Sequence, residues 1–331
     1  MRGEPAMFWR NLRRRLLTPD VVETNLDRRG FYKKSELARE RLETVGLTFL
    51  DGYAAVMEAA TPDETVNRLQ QLPGWLRAFA YEGAGMGAAV LDGLPLGRRD
   101  HVRRLLDTER GGEQRYLIYV GIGWAMARLP RIRWPRPDTL DQVLAPLVLD
   151  GYGFHQAYFH TRRYVHEHHV DKSVRWLAGG HAWFTTHAID QGIGRALWFV
   201  AGTDPVRVAN LIDTFPAARR GDLYAGAGLA ATFAGGGDEA ELRTLARRSG
   251  EHRGALAQAC AFAAEARVRS GVVPAHTEVA TRLFCGMTPQ EAARLVVDRR
   301  PDRQLDGDLP AYEIWRRRLA AEFVSLGGVN T

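Results

Sequence analysis

Residues 150–159 read DGYGFHQAYF and residues 191–199 read QGIGRALWF, and each stretch places two glycines two positions apart inside an apolar run. The same Gly-x-Gly pattern recurs along the chain, with first positions at 83, 121, 151, 192 and 226. A degenerate sixth copy begins at Ala259 and carries alanine at both glycine positions. The copies recur about every 35 residues, which is a period typical of helical hairpin repeats.

The residues around the glycines favour helices over strands. The fifth copy continues into the helix-forming run LAATF at residues 229–233 and then meets the breakers Gly235, Gly236 and Gly237. Asp238 is a good N-cap for a second helix, and Thr288 opens another that runs through Val297. No alternating run joined by a hairpin turn indicates a strand.

The predicted fold is therefore all-α, built from about six stacked antiparallel helical hairpins that form either an open solenoid or a closed α/α ring. Residues 1–331 are expected to form one domain, with an N-terminal arm and cap over 1–80, repeats over 81–299 and a C-terminal cap over 300–331. Asp138 is expected to cap a helix over 140–148. Since glycine inside a helix costs about 1 kcal/mol relative to alanine, the glycines indicate close approach of inner helices to one another or to a ligand.

Composition excludes several classes of protein. The chain has 331 residues, of which 45% are hydrophobic and 25% charged, as in ordinary globular proteins. The 45 Lys and Arg residues exceed the 39 Asp and Glu residues, but the two signs are mixed along the chain, so no nucleic-acid partner is expected. Two cysteines, Cys260 and Cys285, are too few for a disulfide framework, and no apolar run is long enough to span a bilayer. The predicted location is the cytoplasm, with membrane association only through partner proteins.

Polar residues stand at or beside several repeat starts, namely Glu82, Asp150, Gln191 and Gln258. Arg195 and His155 each follow the first glycine of their repeat at a distance of one helical turn or less. If the repeats are equivalent, these side chains converge around one polar mouth, with aromatic residues lining an apolar interior. The expected catalytic residues are His155, Asp150, Gln191 and Arg195, with acid–base roles for the first two. The expected substrate-binding residues are Tyr152, Tyr158, Phe159, Trp198, Tyr224, Asp222 and Gln258.

An alternative interpretation is that these polar residues cap helices and satisfy backbone N–H groups. The histidines at 155, 160, 166, 168 and 169 are concentrated, but their spacing matches no metal-ligand pattern, so no metal is expected. Phosphate-loop, nucleophile-elbow and dinucleotide-binding motifs are absent from the sequence. The sequence does not identify a cofactor.

Several longer segments of the sequence resemble those of a known family. They are YVGIGWAMAR at 119–128, the two stretches quoted first, DLYAGAGLAATFAGG at 222–236 and YEIWRR at 312–317. Together they resemble the UnbL-type family of enediyne biosynthesis proteins over about residues 40–320, with the segment 166–169 as a departure. The resemblance implies a role in actinobacterial secondary metabolism beside an iterative polyketide synthase, a membrane protein of the UnbU type and a protein of the UnbV type. It supplies no catalytic residues.

Two functions of different classes follow from the resemblance and the repeats. In the first, the protein is an enzyme that processes the linear polyene from the synthase during enediyne core formation. In the second, it is a non-catalytic scaffold or carrier that assembles the synthase with the membrane partner. An enclosed aromatic cavity would favour the enzyme or carrier, whereas an open groove would favour the scaffold.

Overall fold

The computed structural model describes residues 18–95, 98–302 and 307–326, and within these ranges the chain is helical and contains no strand. Short helical turns at Val21–Thr24 and Leu26–Arg29 precede the main helices. The main helices are α1 (Glu36–Glu58), α2 (Pro62–Gln70), α3 (Gly74–Gly93), α4 (His101–Leu106), α5 (Glu109–Glu113), α6 (Arg115–Met126), α7 (Pro146–Phe159), α8 (Thr185–Val200), α9 (Pro205–Thr214), α10 (Ala217–Ala234), α11 (Glu239–Ser249), α12 (Arg253–Arg269), α13 (Ala275–Cys285), α14 (Pro289–Asp298) and α15 (Ala311–Ser325).

Seven of these helices form the interior, and each packs against the next in chain order: α1, α3, α6, α7, α8, α10 and α12. They are apolar over most of their circumference, so they are buried on several sides at once. Helix α1 lies inside the segment predicted as an N-terminal cap, yet it packs on α3 like a member of the series. The helices between them, such as α11, are polar on one face and lie outside.

The glycine pairs allow this interior packing. A Cβ atom on Gly151 would lie 1.9 Å from the carbonyl oxygen of Val120 on α6, and one on Gly153 would lie 2.1 Å from that of Ile189 on α8. Residues two positions apart in a helix point in nearly opposite directions, about 200° around the axis. Each Gly-x-Gly pair therefore lets one helix meet the backbone of both neighbours, and no other residue type fits there.

The contacts keep one register at successive crossings. The first glycine of each pair faces the carbonyl of the residue that directly precedes the first glycine of the pair before it, namely Glu82, Val120, Asp150 and Gln191. The pairs, which were expected to mark the starts of the repeats, lie in the middle of their helices. The residues beside them are consequently buried at the crossings instead of ringing an open end.

Early and late members of the inner series also meet. Arg267 Nη1 on α12 donates to the carbonyl oxygen of Trp75 on α3 at 2.8 Å. Arg269 Nη2 donates to Tyr116 Oη on α6 at 2.9 Å. The rings of Phe79 and Phe233 meet edge to face at 5.2 Å, so helices far apart in sequence share one interior.

Some of the predicted outer helices are confirmed. Asp238 and Thr288 each form a capping box with a glutamate three residues later, at the starts of α11 and α14. The helix predicted over 140–148 is wrong, because α7 begins at Pro146, which can occupy only the first turn of a helix. The segments 127–145 and 160–184 contain only 3-10 or π turns, so these two connections are not helical hairpins.

None of the helices in the described ranges combines the length and the apolar composition needed to cross a membrane.

Candidate functional site

Two apolar cavities lie among the inner helices. The first has a volume of about 70 Å³ and a largely aromatic wall formed by Phe49, Phe79, Trp124, Phe154, Tyr158, Phe199 and Phe233. The second has a volume of about 60 Å³, and its wall includes Tyr116, Leu144, Leu147, Phe262, Tyr312 and Trp315. Three residues line both cavities, namely Arg195, Leu229 and Phe233. The cavities are therefore neighbours separated by a thin wall.

Arg195 is the charged member of that wall. Its Nη1 donates to Asp150 Oδ1 through a short contact, and its Nη2 approaches Glu82 Oε1 at 3.4 Å. Trp124 Nε1 donates to the same Glu82 oxygen at 2.9 Å. The crossing of α7 and α8 at Gly192, which faces the Asp150 carbonyl, brings Asp150 and Arg195 together. We call Glu82, Trp124, Asp150 and Arg195 the Arg195 cluster.

The Arg195 cluster can hold a proton beside an apolar space. Burial raises the pKa of Glu82 and also that of Asp150, although Arg195 opposes both shifts. Two carboxyl groups share one guanidinium here, and one of them lines each cavity. A buried carboxyl with a raised pKa suits general acid–base chemistry, and positions of this kind are frequent at functional sites.

The other predicted polar residues meet at a second buried arginine. Arg316 on α15 contacts Asp222 Oδ1 at 2.9 Å through Nη2 and Glu313 Oε2 at 2.7 Å through Nη1. Its Nε donates to Gln258 Oε1 at 3.2 Å, and Gln191 Nε2 donates to Asp222 Oδ1 at 3.0 Å. We call Gln191, Asp222, Gln258, Glu313 and Arg316 the Arg316 cluster. None of the five lines either cavity.

Neighbouring cations favour the ionised form of Asp222 in the Arg316 cluster. Burial alone would raise the pKa of Asp222, but Arg316 and His187 together hold it below its usual value. His187 Nδ1 lies 2.8 Å from Asp222 Oδ2, and this hydrogen bond raises the pKa of His187 despite partial burial. The cluster joins α15 to the inner helices, so we assign it a structural role.

The expected catalytic set is therefore divided. Asp150 and Arg195 are in direct contact, whereas Gln191 belongs to the Arg316 cluster. His155 lies in neither cluster: its ring packs against Phe159 at 4.6 Å and edge-on against Trp124 at 5.6 Å. Burial lowers the pKa of His155 to about 3, so its imidazole is neutral near pH 7. Its catalytic role stays a prediction, and its link to the Arg195 cluster runs through the Trp124 ring.

The expected aromatic lining is also divided. Tyr158 lines the first cavity, and Phe159 lines a surface cleft beside it. The remaining three are anchored elsewhere by hydrogen bonds. Trp198 Nε1 donates to the Gly235 carbonyl at 2.8 Å, Tyr152 Oη to Asp171 at 2.7 Å and Tyr224 Oη to the Arg248 carbonyl at 2.9 Å.

Sequence reasoning missed Trp124 and Arg316. The indole of Trp124 follows the second Gly-x-Gly pair directly, at the position that Phe154 and Arg195 occupy in the next two copies, and all three line the first cavity. Because these three residues share one position in the repeat, the sequence could have indicated that Trp124 lies near Arg195. For Arg316 the signal was weaker, because the run YEIWRR shows charges on an aromatic helix but not their buried partners.

Within the described ranges no group of three His, Cys, Asp or Glu side chains is placed to hold a metal ion. Cys260 and Cys285 are buried as free thiols.

A protein-family model described as "Protein of unknown function (DUF1702)" matches residues 8–323. No curated protein matches the chain, and no solved structure does.

Proposed function

The chain belongs to the DUF1702 family, and we propose that it binds a long, slender apolar molecule in the two cavities on either side of Arg195. The observation that carries this proposal is the wall that the cavities share. Arg195, Leu229 and Phe233 line both spaces, so a ligand that crosses this wall would occupy one continuous channel. Pockets for small molecules are usually apolar with a few placed polar groups, as here.

The cavities must widen before a long ligand can enter, because their volumes of about 70 and 60 Å³ together stay below that of a benzene-binding cavity. Each cavity alone is smaller than an engineered cavity of about 150 Å³ that admits benzene. Phe233 is fixed, because Arg267 lies 3.8 Å from its ring centroid and Arg267 Nη2 donates to its carbonyl. Leu229 is half-buried and lacks such an anchor in what the structure describes, so we propose that its side chain moves to join the two spaces.

The aromatic wall of the first cavity suits a conjugated chain. A linear polyene is a narrow rod with exposed π faces, which aromatic edges and faces accept without hydrogen bonds. We therefore propose that the ligand is a linear polyene, as the resemblance to enediyne biosynthesis proteins implies. The Arg195 cluster places a carboxyl group beside that chain, where it can give or take a proton if the protein is an enzyme.

We further propose that the inner helices form a repeat array curved around these cavities. Support comes from the constant register of the glycine crossings and from the contact of Arg267 with the Trp75 carbonyl. The cavities favour the enzyme or carrier over the scaffold, because a scaffold needs an outer groove and no aromatic interior. Whether the ligand is changed is tested by incubating purified protein with the polyene and comparing masses before and after.

Binding is tested with methyl parinarate, a neutral conjugated tetraene whose fluorescence rises in apolar surroundings. We expect wild-type protein to raise its emission saturably, and Leu229→Trp to weaken binding at least tenfold because the indole fills the shared wall. Ile132→Trp, at a side chain that is 90% exposed, is the matched control and should bind as wild type does. Equal binding by Leu229→Trp and wild type would overturn the proposal.

A further inference from the structure

An open cleft at the surface adjoins the first cavity. Its volume is about 490 Å³, and its walls include Arg29, Phe159, His160, Arg162 and Arg163. Tyr158 lines both the cleft and the first cavity, so the two spaces adjoin at this residue. The first cavity therefore has a polar cleft as its neighbour on this side.

The cleft is rich in positive charge. Three arginines line it against one carboxylate, Glu167, whose Oε1 accepts from Arg162 Nε at 2.9 Å. Arg163 Nη2 lies 2.8 Å from His169 Nε2, and its guanidinium lies 5.7 Å from the Tyr164 ring. Among the described residues no carboxylate pairs with Arg163.

Arg29 approaches the same cleft from a separate part of the chain. Its Nη2 pairs with Glu23 at 2.9 Å, and its guanidinium lies over the Phe159 ring at 5.0 Å. Its Nε is buried and meets no acceptor in the described part of the chain. A buried donor without a partner is unfavourable, and an acceptor in the cleft would relieve that cost.

Part of this positive charge has a structural cause. Helix α7 ends at Phe159, and the free carbonyls at a helix C-terminus attract cations. Arg29 is not part of that helix end, however, and it reaches the cleft from the turn Leu26–Arg29. Three guanidinium groups from two segments exceed what one helix end requires.

We propose that this cleft binds the anionic head group, carboxylate or phosphate, of the same molecule whose apolar chain enters the cavities. The inference rests on the proposed function and specifies the ligand as an apolar chain with one charged end. Arginine suits this role because its planar fork matches the oxygens of carboxylate and phosphate. The bound chain would run from the cleft, past Tyr158, into the first cavity.

Tyr158 is suited to a position where the ligand passes. Its ring packs against several other rings, among them Phe31 at 5.0 Å and Phe154 at 5.9 Å. Its hydroxyl has no hydrogen-bond partner in the residues that the structure describes, so no bond fixes it across the opening. Rotation of this ring joins the cleft and the first cavity.

The test compares parinaric acid with its methyl ester, which share one polyene chain and differ in the charged end. We expect the acid to bind about fivefold more tightly, a modest ratio because the arginines are partly hydrated. In the double variant Arg162→Gln/Arg163→Gln the ratio should fall to about one while ester binding is unchanged. Arg243→Gln, a solvent-exposed arginine on α11, is the control and should keep the wild-type ratio.

Decanoate and decyl phosphate, used as competitors, distinguish the two head groups by which one displaces parinaric acid at lower concentration. If acid and ester bind wild type equally while Leu229→Trp still abolishes ester binding, the head-group inference is overturned and the proposed function stands. If the ester does not bind at all, both fail. A decline in ester affinity equal to that of the acid in the double variant also contradicts the head-group site.

Discussion

The Arg195 and Arg316 clusters each bury an arginine between two carboxylates, but they differ in how closely the arginine is paired. Arg316 meets Asp222, Glu313 and Gln258 at hydrogen-bonding distance, which occupies donors on all three of its nitrogens. Arg195 makes one close contact with Asp150 and a longer one of 3.4 Å with Glu82, and it borders empty space on two sides. Partners at all three nitrogens indicate that Arg316 joins helices, whereas the looser contacts of Arg195 beside cavities indicate a place for a ligand.

The contrast extends to the helix crossings that build the clusters. A Cβ on Gly192 would lie 1.9 Å from the Asp150 carbonyl oxygen, in the crossing that assembles the Arg195 cluster. On the side of α12, a Cβ on Gly228 would lie 2.9 Å from Leu256 Cγ and 3.0 Å from the Leu256 carbonyl oxygen. The crossing at Gly192 is thus closer than the crossing at Gly228, where a Cβ would stay 3.0 Å from the neighbouring carbonyl oxygen.

The largest expected effect comes from testing these two crossings. Gly192→Ala should lower the free energy of unfolding by about 3 kcal/mol or more, because the two backbones must separate. Gly228→Ala should lower it less, by about 1 kcal/mol, since Leu256 needs to move only slightly and alanine favours the helix. Urea denaturation of both variants measures the difference. Equal losses would show that the two crossings do not differ in tightness.

The second effect separates the two arginines themselves. Arg316→Met leaves Asp222 and Glu313 buried without their main cation, and should cost about 3–5 kcal/mol of stability. Arg195→Met should cost less, because burial already raises the pKa of Glu82 and of Asp150 and both can take up protons. The two unfolding curves, measured at pH 7, decide this. A larger loss for Arg195→Met would reverse our assignment of which cluster is structural.

The smallest effect is a pH dependence of opposite sign at two histidines. The pKa of His155 is lowered to about 3 from 6.5, so the stability that its neutral form contributes is lost as pH falls below about 6.5. The pKa of His187 is raised by Asp222, so its contribution is complete below about 6.5 and is lost as pH rises through the folded pKa.

His155→Gln should therefore flatten the loss of stability on acidification, and His187→Gln should lower stability more at pH 6 than at pH 8. His166→Gln, at an exposed histidine, is the control and should leave both slopes unchanged. Unfolding free energies at pH 5, 6, 7 and 8 supply the slopes. Identical slopes for the three variants would contradict the assigned environments.

Much of the interior was predictable from the sequence, because the cause is local. Glycine at two-residue spacing has few purposes in a helix, and polar residues beside it, such as Asp150 and Gln191, had to be buried with partners. The glycine pattern did not show where along each helix the pair lies. The pairs lie at helix crossings in the middle of their helices. Proline is common at the first position of a helix, so Pro146 indicated a helix start. The prediction of a helix over 140–148 did not use this signal.

The rest depends on contacts between distant segments. Arg316 contacts Gln258 and Asp222, which lie far from it in sequence. The periodicity of the sequence does not predict such long-range contacts. His155 shares a helix with Asp150, yet it faces Trp124 and Phe159 and not Arg195. Five positions along a helix rotate the side-chain direction by a net angle of about 140°. The closeness of His155 to Asp150 in sequence therefore could not show which residues it contacts.

The most direct test of the account is an experimental structure of the protein with methyl parinarate bound. We expect the tetraene to lie along Leu229 and to contact residues of both cavities within about 4 Å, with Arg195 at its side. A ligand bound on the outer surface, or inner helices closed around a solid core without the two spaces, would contradict it.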